Sequence, residues 1–255
     1  TETAETETAE TETADTDTTE TADTDTTETA DTDTTETTDT DADDDTIYAI
    51  QDGTIAEDTP VTVAGVWVTA VRANGFYAQE IEGGQFSGVW VFVGNMGPDI
   101  SGLAIGDLVD IGGVTTEFAG LTEIDASAGT VTEVGTIDPV APDLVTTAEL
   151  AADVGEPWES VFVRIEGEPL TVTQLPGFDE FIVTNADGDA FVDNYLYNLI
   201  LDGGMDFPSF GLGATFTAIQ GPVNFSFDNF KVAPRVAADL EGYMAPVNPL
   251  LGVET

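Results

Sequence analysis

The sequence predicts an all-β protein: two tandem OB-like Greek-key barrels of small size, preceded by a low-complexity extended tail. Three observations predict it. Residues 1–45 contain only Thr, Glu, Asp and Ala, a composition with nothing to bury. Beyond residue 45, β-branched and aromatic residues are dense and Gly and Pro recur at short intervals, with no sustained helical apolar period except a weak one at 147–153. Finally, the Pro-containing stretch 139–145 divides the body into units 46–138 and 146–243, each long enough for one modest core, with 244–255 as a C-terminal tail.

The tail holds 20 Thr, 19 acidic residues and six Ala. It repeats a pentad from Thr1 and then the octad Asp-Thr-Asp-Thr-Thr-Glu-Thr-Ala, which starts at Asp15, Asp23 and, with one change at Thr38, Asp31. Neither period is that of a solenoid, and closely spaced like charges extend a chain. At about 3.3 Å per residue the tail reaches at most about 150 Å. One reading is a solvated stalk. The other is a Thr-dense segment that is O-glycosylated, or ordered by cations or neighbouring copies. Such stalks resemble those that follow the signal region of bacterial surface proteins and lipoproteins. With no initiator Met and no basic and apolar leader, the chain reads as a mature exported product at a bacterial cell surface or outside the cell. No segment has the roughly 18 apolar residues of a membrane span.

In the first unit the strands are expected over 60–72, 76–81, 87–93, 107–118 and 121–134. Gly65 marks a bulge where the first strand bends, Asn74–Gly75 a hairpin, Ala119–Gly120 a turn, and 98–105 a connection with room for a turn of helix. Asp107, directly after a glycine, is expected to accept backbone N–H bonds in its turn. Five strands with a bent first member suit a closed barrel of the OB type. The runs Val61-Thr-Val-Ala-Gly-Val-Trp-Val-Thr69, Gly75-Phe-Tyr-Ala-Gln-Glu80, Gly88-Val-Trp-Val-Phe-Val93 and Ile105 to Phe118, followed by Leu121-Thr-Glu-Ile124, carry a family resemblance. In order and spacing they resemble the OB-fold domain found upstream of endonuclease/exonuclease/phosphatase-type domains in bacterial extracellular nucleases. The second unit offers strands over 160–167, 170–174, 180–185, 189–201 and 214–232, with a tight turn at Asp228–Asn229. Its run from Gly221 to Arg235 is similar to the last hairpin of the second OB-like domain in the same proteins.

Charge departs from that family. Of 50 acids, 31 lie outside the tail, against four bases, so the body alone has a net charge of −27. Polyanion binding gains its affinity from Lys and Arg, so nucleic acid is a poor partner. There is no Cys and no His, which excludes disulfides, thiolate nucleophiles, imidazole bases and His or Cys metal sites. The resemblance would place a catalytic domain after these units. None follows Tyr243, so no enzymatic activity is expected.

Two constellations stand out. On the third strand Val89, Val91 and Val93 share one face while Trp90 and Phe92 share the other, and a small barrel can enclose only one of them. Trp90 and Phe92, with Tyr77 and Trp67, are therefore candidates for a groove that stacks a glycan, or for burial against the second unit or another subunit. The loop Asn185-Ala-Asp-Gly-Asp-Ala-Phe-Val-Asp193 puts oxygen ligands at Asn185, Asp187, Asp189 and Asp193. Calcium is the ion such a loop would take, but Gly188 is out of EF-hand register, and an ordinary Asp-Gly turn is the competing reading. No other cofactor is indicated. The carboxylate pairs Asp179/Glu180 and Glu166/Glu168 have glycosidase chemistry available only in principle. The sequence thus leads to a non-catalytic exported surface protein, structural or adhesive, with strand edges free to pair between copies in a filament or array. The alternative is a glycan- or nucleic-acid-binding accessory module of an extracellular enzyme system.

Overall fold

The first barrel is built on a strand that changes phase. In the computed structural model, which describes residues 45–197 and 210–246, β1 (Pro60–Arg72) turns Val61 and Val63 inward, then Val66 and Val68, then Val71. Register shifts at 63/66 and 68/70 cause the two changes of phase. Gly65, at φ +66°, forms the first of them and donates its N–H to Asp110 Oδ1 at 2.9 Å. The bent strand pairs with β4 (Asp107–Phe118) through its first half and β2 (Gly75–Gln79) through its second. With β3 (Gly88–Phe92) and β5 (Leu121–Thr136) the sheet closes in the order β1-β2-β3-β5-β4. Only the β3–β5 pairing is parallel. Asp107 accepts the Ala104 N–H at 2.7 Å, as expected, while 98–105 contains turns and no helix. A five-residue helix, α1 (Ile47–Gln51), escapes sequence periodicity because it is so short. Thr46 caps its N-terminus, and Ile47 and Ile50 enter the first core.

The second sheet contains β6 (Asp143–Val145), β7 (Phe162–Gly177), β8 (Glu180–Thr184), β9 (Asp189–Val192), β10 (Thr215–Ser226), β11 (Asn229–Val232) and β12 (Leu240–Glu241). Pairing of β10 with β7 closes five of them as β7-β8-β9-β11-β10, again with one parallel pair, β9–β11. This is the strand order of the first barrel repeated. The segments expected separately at 160–167 and 170–174 are one strand, β7, with a register shift between Phe216 and Ala218 on its partner. The linker expected over 139–145 ends as β6, and 147–153 contributes a 3-10 helix, Thr147–Leu150, closed by a Thr146/Glu149 capping box. The second core is centred on Val163, Ile165, Leu170, Phe181, Val183 and Phe216.

The Thr-rich repeats, the end of the strand expected over 189–201 and most of the C-terminal stretch lie outside the described residues. Among the described residues no helix is long and apolar enough to cross a membrane. Closure also corrects one expectation: among the described residues free strand edges are few. The flanking strands β6 and β12 have only three and two residues, because each barrel pairs its own edges.

Gly65 separates backbone strain from packing, since a Cβ there meets nothing within 4 Å. Gly65→Ala is expected to cost about 1–2 kcal/mol through its left-handed φ alone. Denaturant titration should show a lower midpoint with an unchanged slope.

Candidate functional site

Strand alternation places Tyr77 and Trp90 on the outer face of the first barrel as direct cross-strand partners, with ring centroids 4.8 Å apart. The second barrel covers them. Tyr77 and Trp90 form one apolar cluster with Leu196 and Ala233, and Trp90 meets Tyr195 edge-on at 6.4 Å. The Tyr77 hydroxyl donates to Asn224 Oδ1 at 3.1 Å, and Asn224 Nδ2 donates to Asp193 Oδ2 at 3.3 Å. Trp67 packs edge-on against Phe162 at 5.9 Å. Gln79 accepts the Phe162 N–H at 2.8 Å through Oε1 and donates from Nε2 to Asp143 at 3.3 Å. Of the four aromatic candidates, Trp67, Tyr77 and Trp90 are buried and Phe92 is half-buried at the margin. The structure gathers them into a joint between barrels, one of the two arrangements open to them.

Gly88 sets how closely the barrels approach. A Cβ on it would overlap the main chain at Ser160 and Val161 of the second barrel.

All four cations are used within the body. Arg164 makes two bonds to Glu241, at 2.6 and 2.9 Å, and also binds Glu166. Lys231, almost fully buried, pairs with Glu180 at 2.6 Å. Arg235 grips Asp239 through two nitrogens, donates to the Thr69 carbonyl of the first barrel at 3.1 Å and lies 3.9 Å over the Phe162 ring. Arg72 reaches the other way across the joint, 3.6 Å over the Tyr195 ring. Two members of the carboxylate pairs noted in the sequence, Glu180 and Glu166, are thereby ion-paired.

Two other carboxyls have no such partner. Glu159 is 1% exposed, and burial, with Glu156 and Glu117 nearby, raises its pKa to about 8. Its Oε1 accepts the Thr122 N–H at 2.8 Å, which opposes that rise, while its Oε2 has no donor. Gln51 lies against it with its Nε2 committed to the Gly88 carbonyl at 2.6 Å and its Oε1 also without a donor. A proton on Glu159 Oε2 would give this corner a donor, while the Gln51 side chain, like the Thr122 N–H, favours the ionised form and opposes the rise. Glu123, beside Trp90 across the β3–β5 ladder, is raised to about 7 by burial and by Asp125 and Glu117. Raised carboxyls are the raw material of general acids, but a general acid must reach its substrate, and Glu159 is buried from solvent.

The loop proposed for calcium does not gather its four residues. Asn185 Oδ1 accepts from the Thr147 hydroxyl and the Asp187 N–H, and Asn185 N–H closes a turn on the Gly188 carbonyl at 3.1 Å. Asp189 takes the Thr184 hydroxyl, and Asp193 is buried in the joint, binding Asn224 and the Tyr195 N–H. Among the described residues no group of three or more acidic side chains could hold a metal ion. The competing Asp-Gly turn is the arrangement found.

Sequence reading missed the most exposed aromatics. Phe178 and Phe227 are 90% and 86% exposed at the tips of the β7–β8 and β10–β11 hairpins. Each turn is a Phe-Asp pair with both residues at positive φ: +57° and +62° at 178–179, +52° and +58° at 227–228. The second turn therefore falls one residue before the Asp228–Asn229 expected from propensity. Lys231 ties the tips together, pairing with Glu180 two residues beyond Phe178 and lying 5.4 Å from the Phe227 ring. A bulky residue in the left-handed region costs about 1–2 kcal/mol and calls for an explanation at each tip. No protein-family model matches this sequence, and no curated protein is similar to it.

Two outcomes follow from the joint. Gly88→Ala should force the barrels apart and lower the melting temperature by several degrees, with Trp fluorescence shifted to the red as Trp90 meets water. Glu159→Gln tests the orphaned carboxyl. In the wild type, folding holds a proton that the unfolded chain releases near pH 4.5, so stability falls as pH rises from about 4.5 to about 8 and then levels. The neutral Gln removes that slope, so its advantage over wild type should grow across this window and reach a few kcal/mol. A constant difference from pH 5 to 9 would show that Glu159 is already ionised.

Proposed function

We propose that the protein is a non-catalytic, exported surface component with a structural or adhesive role, whose contacts with other molecules run through the Phe178 and Phe227 hairpin tips. The observation that carries this reading is the pair of strained, solvent-facing Phe-Asp turns on an acidic body, one beside Lys231 and the other two residues before its partner Glu180. Strain of that kind persists where something other than stability retains it. The Thr-rich acidic tail supports export and presentation away from a surface. The lack of His and Cys, the ion-paired carboxylates and the inaccessible Glu159 all favour a protein that acts by contact. For the accessory-module reading, Trp67, Tyr77 and Trp90 are no longer available as a stacking platform, so a ligand would need another surface.

The double variant Phe178→Asn, Phe227→Asn is the test, because Asn accepts left-handed φ. It should gain about 1 kcal/mol or more in stability while losing adhesion to a hydrophobic surface and any self-association seen by light scattering with and without calcium. Unchanged adhesion and association in the variant would overturn the assignment.

A further inference from the structure

Arg72 differs from the other three cations. Those are ion-paired at 2.5–3.0 Å, whereas among the described residues no acceptor lies within hydrogen-bonding distance of the Arg72 guanidinium. Its guanidinium is partly desolvated, which pushes its pKa down, while Tyr77 and Asp193 pull it back only in part. A planar guanidinium packed over an aromatic ring is held in one orientation with its in-plane donors free, an arrangement that suits two parallel bonds to a carboxylate.

Arg72 lines a cleft of about 700 Å³. Its wall is built by two elements of the first barrel. The turn between β1 and β2 is pinned to the end of β3 because the Asn74 carbonyl accepts the N–H groups of Val93 and Gly94, at 3.0 and 3.1 Å. The β3–β4 connection forms the other side. Val71, Val93, Ile100 and Leu103 supply an apolar floor, and Asn95 an exposed amide. One acid is present, Asp99, which accepts the Ser101 N–H at 3.0 Å and is held below its usual carboxylate range by the Ser101 backbone and hydroxyl.

We propose that this cleft is a binding site for a small hydroxylated monocarboxylate, with Arg72 taking the carboxylate and Asn95 a hydroxyl. Charge selects the class. One guanidinium matches one negative charge, whereas a phosphodianion or a polyanion would add repulsion from Asp99, Asp193 and the acidic body. The volume is within the range of small-molecule sites. The site is independent of the adhesive reading, since neither Phe178 nor Phe227 lines it.

Glucuronate, glucose, inorganic phosphate and a tetrapeptide with a free C-terminal carboxylate are titrated into the full chain at low salt, followed by isothermal calorimetry and amide chemical shifts. Glucuronate is expected to bind, to shift the amides of Gly94 and Asn95, and to weaken with salt, while glucose does not bind. Tighter binding of the peptide would still support a carboxylate site and would assign its source as a chain end. Arg72→Gln should lower affinity at least about tenfold, and Arg72→Lys, which keeps the charge and loses the fork, should lower it less. Because Arg72 also touches Tyr195, Asn95→Ala serves as the variant outside the barrel joint, with melting temperatures confirming each fold. Equal binding of glucose or phosphate, no binding of either carboxylate, or unaltered affinity in Arg72→Gln overturns the proposal.

Discussion

The structure depends on burying the outer face of β3. Its five residues are apolar on both sides: Val89 and Val91 fill the first barrel, and Trp90 stands on the side a closed barrel cannot use. An exposed Trp beside an exposed Tyr would leave a large apolar patch on an isolated barrel. The second barrel removes it. Each of its contacts follows from that demand, including the Tyr77–Asn224 bond that satisfies a buried hydroxyl and the Gly88–Ser160 approach that allows main chain to lie against main chain. The two barrels, though separately closed, thus belong to one compact unit of the described residues.

Scarcity of positive charge shapes the same joint. With four cations to 50 acids, a cation on the surface would find a partner almost anywhere, and each pair there would contribute little. Arg235 is instead buried with Asp239 and reaches the Thr69 carbonyl, so it links the second barrel to β1. Arg72 crosses in the opposite direction to Tyr195. Around Glu159 and Glu123, which have no cation beside them, burial raises the carboxyl pKa to about 8 and about 7, which brings protonation within reach of neutral pH.

Local chemistry made much of the fold legible. The bounds of β1 and β4 follow from turn residues and alternation, and the bulge at Gly65 follows from a glycine inside an apolar run. What could not be read depends on distant parts of the chain. Nothing near Trp90 tells a glycan platform from an interior face, because the residues that decide it, Asn224 and Ala233, are far along the sequence. The calcium reading had the same weakness, since spacing placed Asp193 with Asp187 while the tertiary fold commits it to Asn224. The Phe tips were missed for the opposite reason. Propensity puts polar residues and glycine in tight turns, and Phe178 and Phe227 violate it.

The repeated topology lets the outer faces of the two barrels be compared strand by strand. In the first barrel the cross-strand row that meets its neighbour is Tyr77, Trp90 and Glu123. The equivalent row on β8, β9 and β11 is Ile182, Phe191 and Lys231, and Lys231 is locked to Glu180. That ion pair is already buried, with Lys231 2% exposed, so the row presents a committed charge where Tyr77 presents a hydroxyl. Such burial costs more than the attraction returns unless further hydrogen bonds are supplied. A joint of this kind, repeated head to tail, would generate an open filament. The second barrel carries Ile182 and Phe191 beside a committed Lys231 where the joint face of the first carries Tyr77 and Trp90.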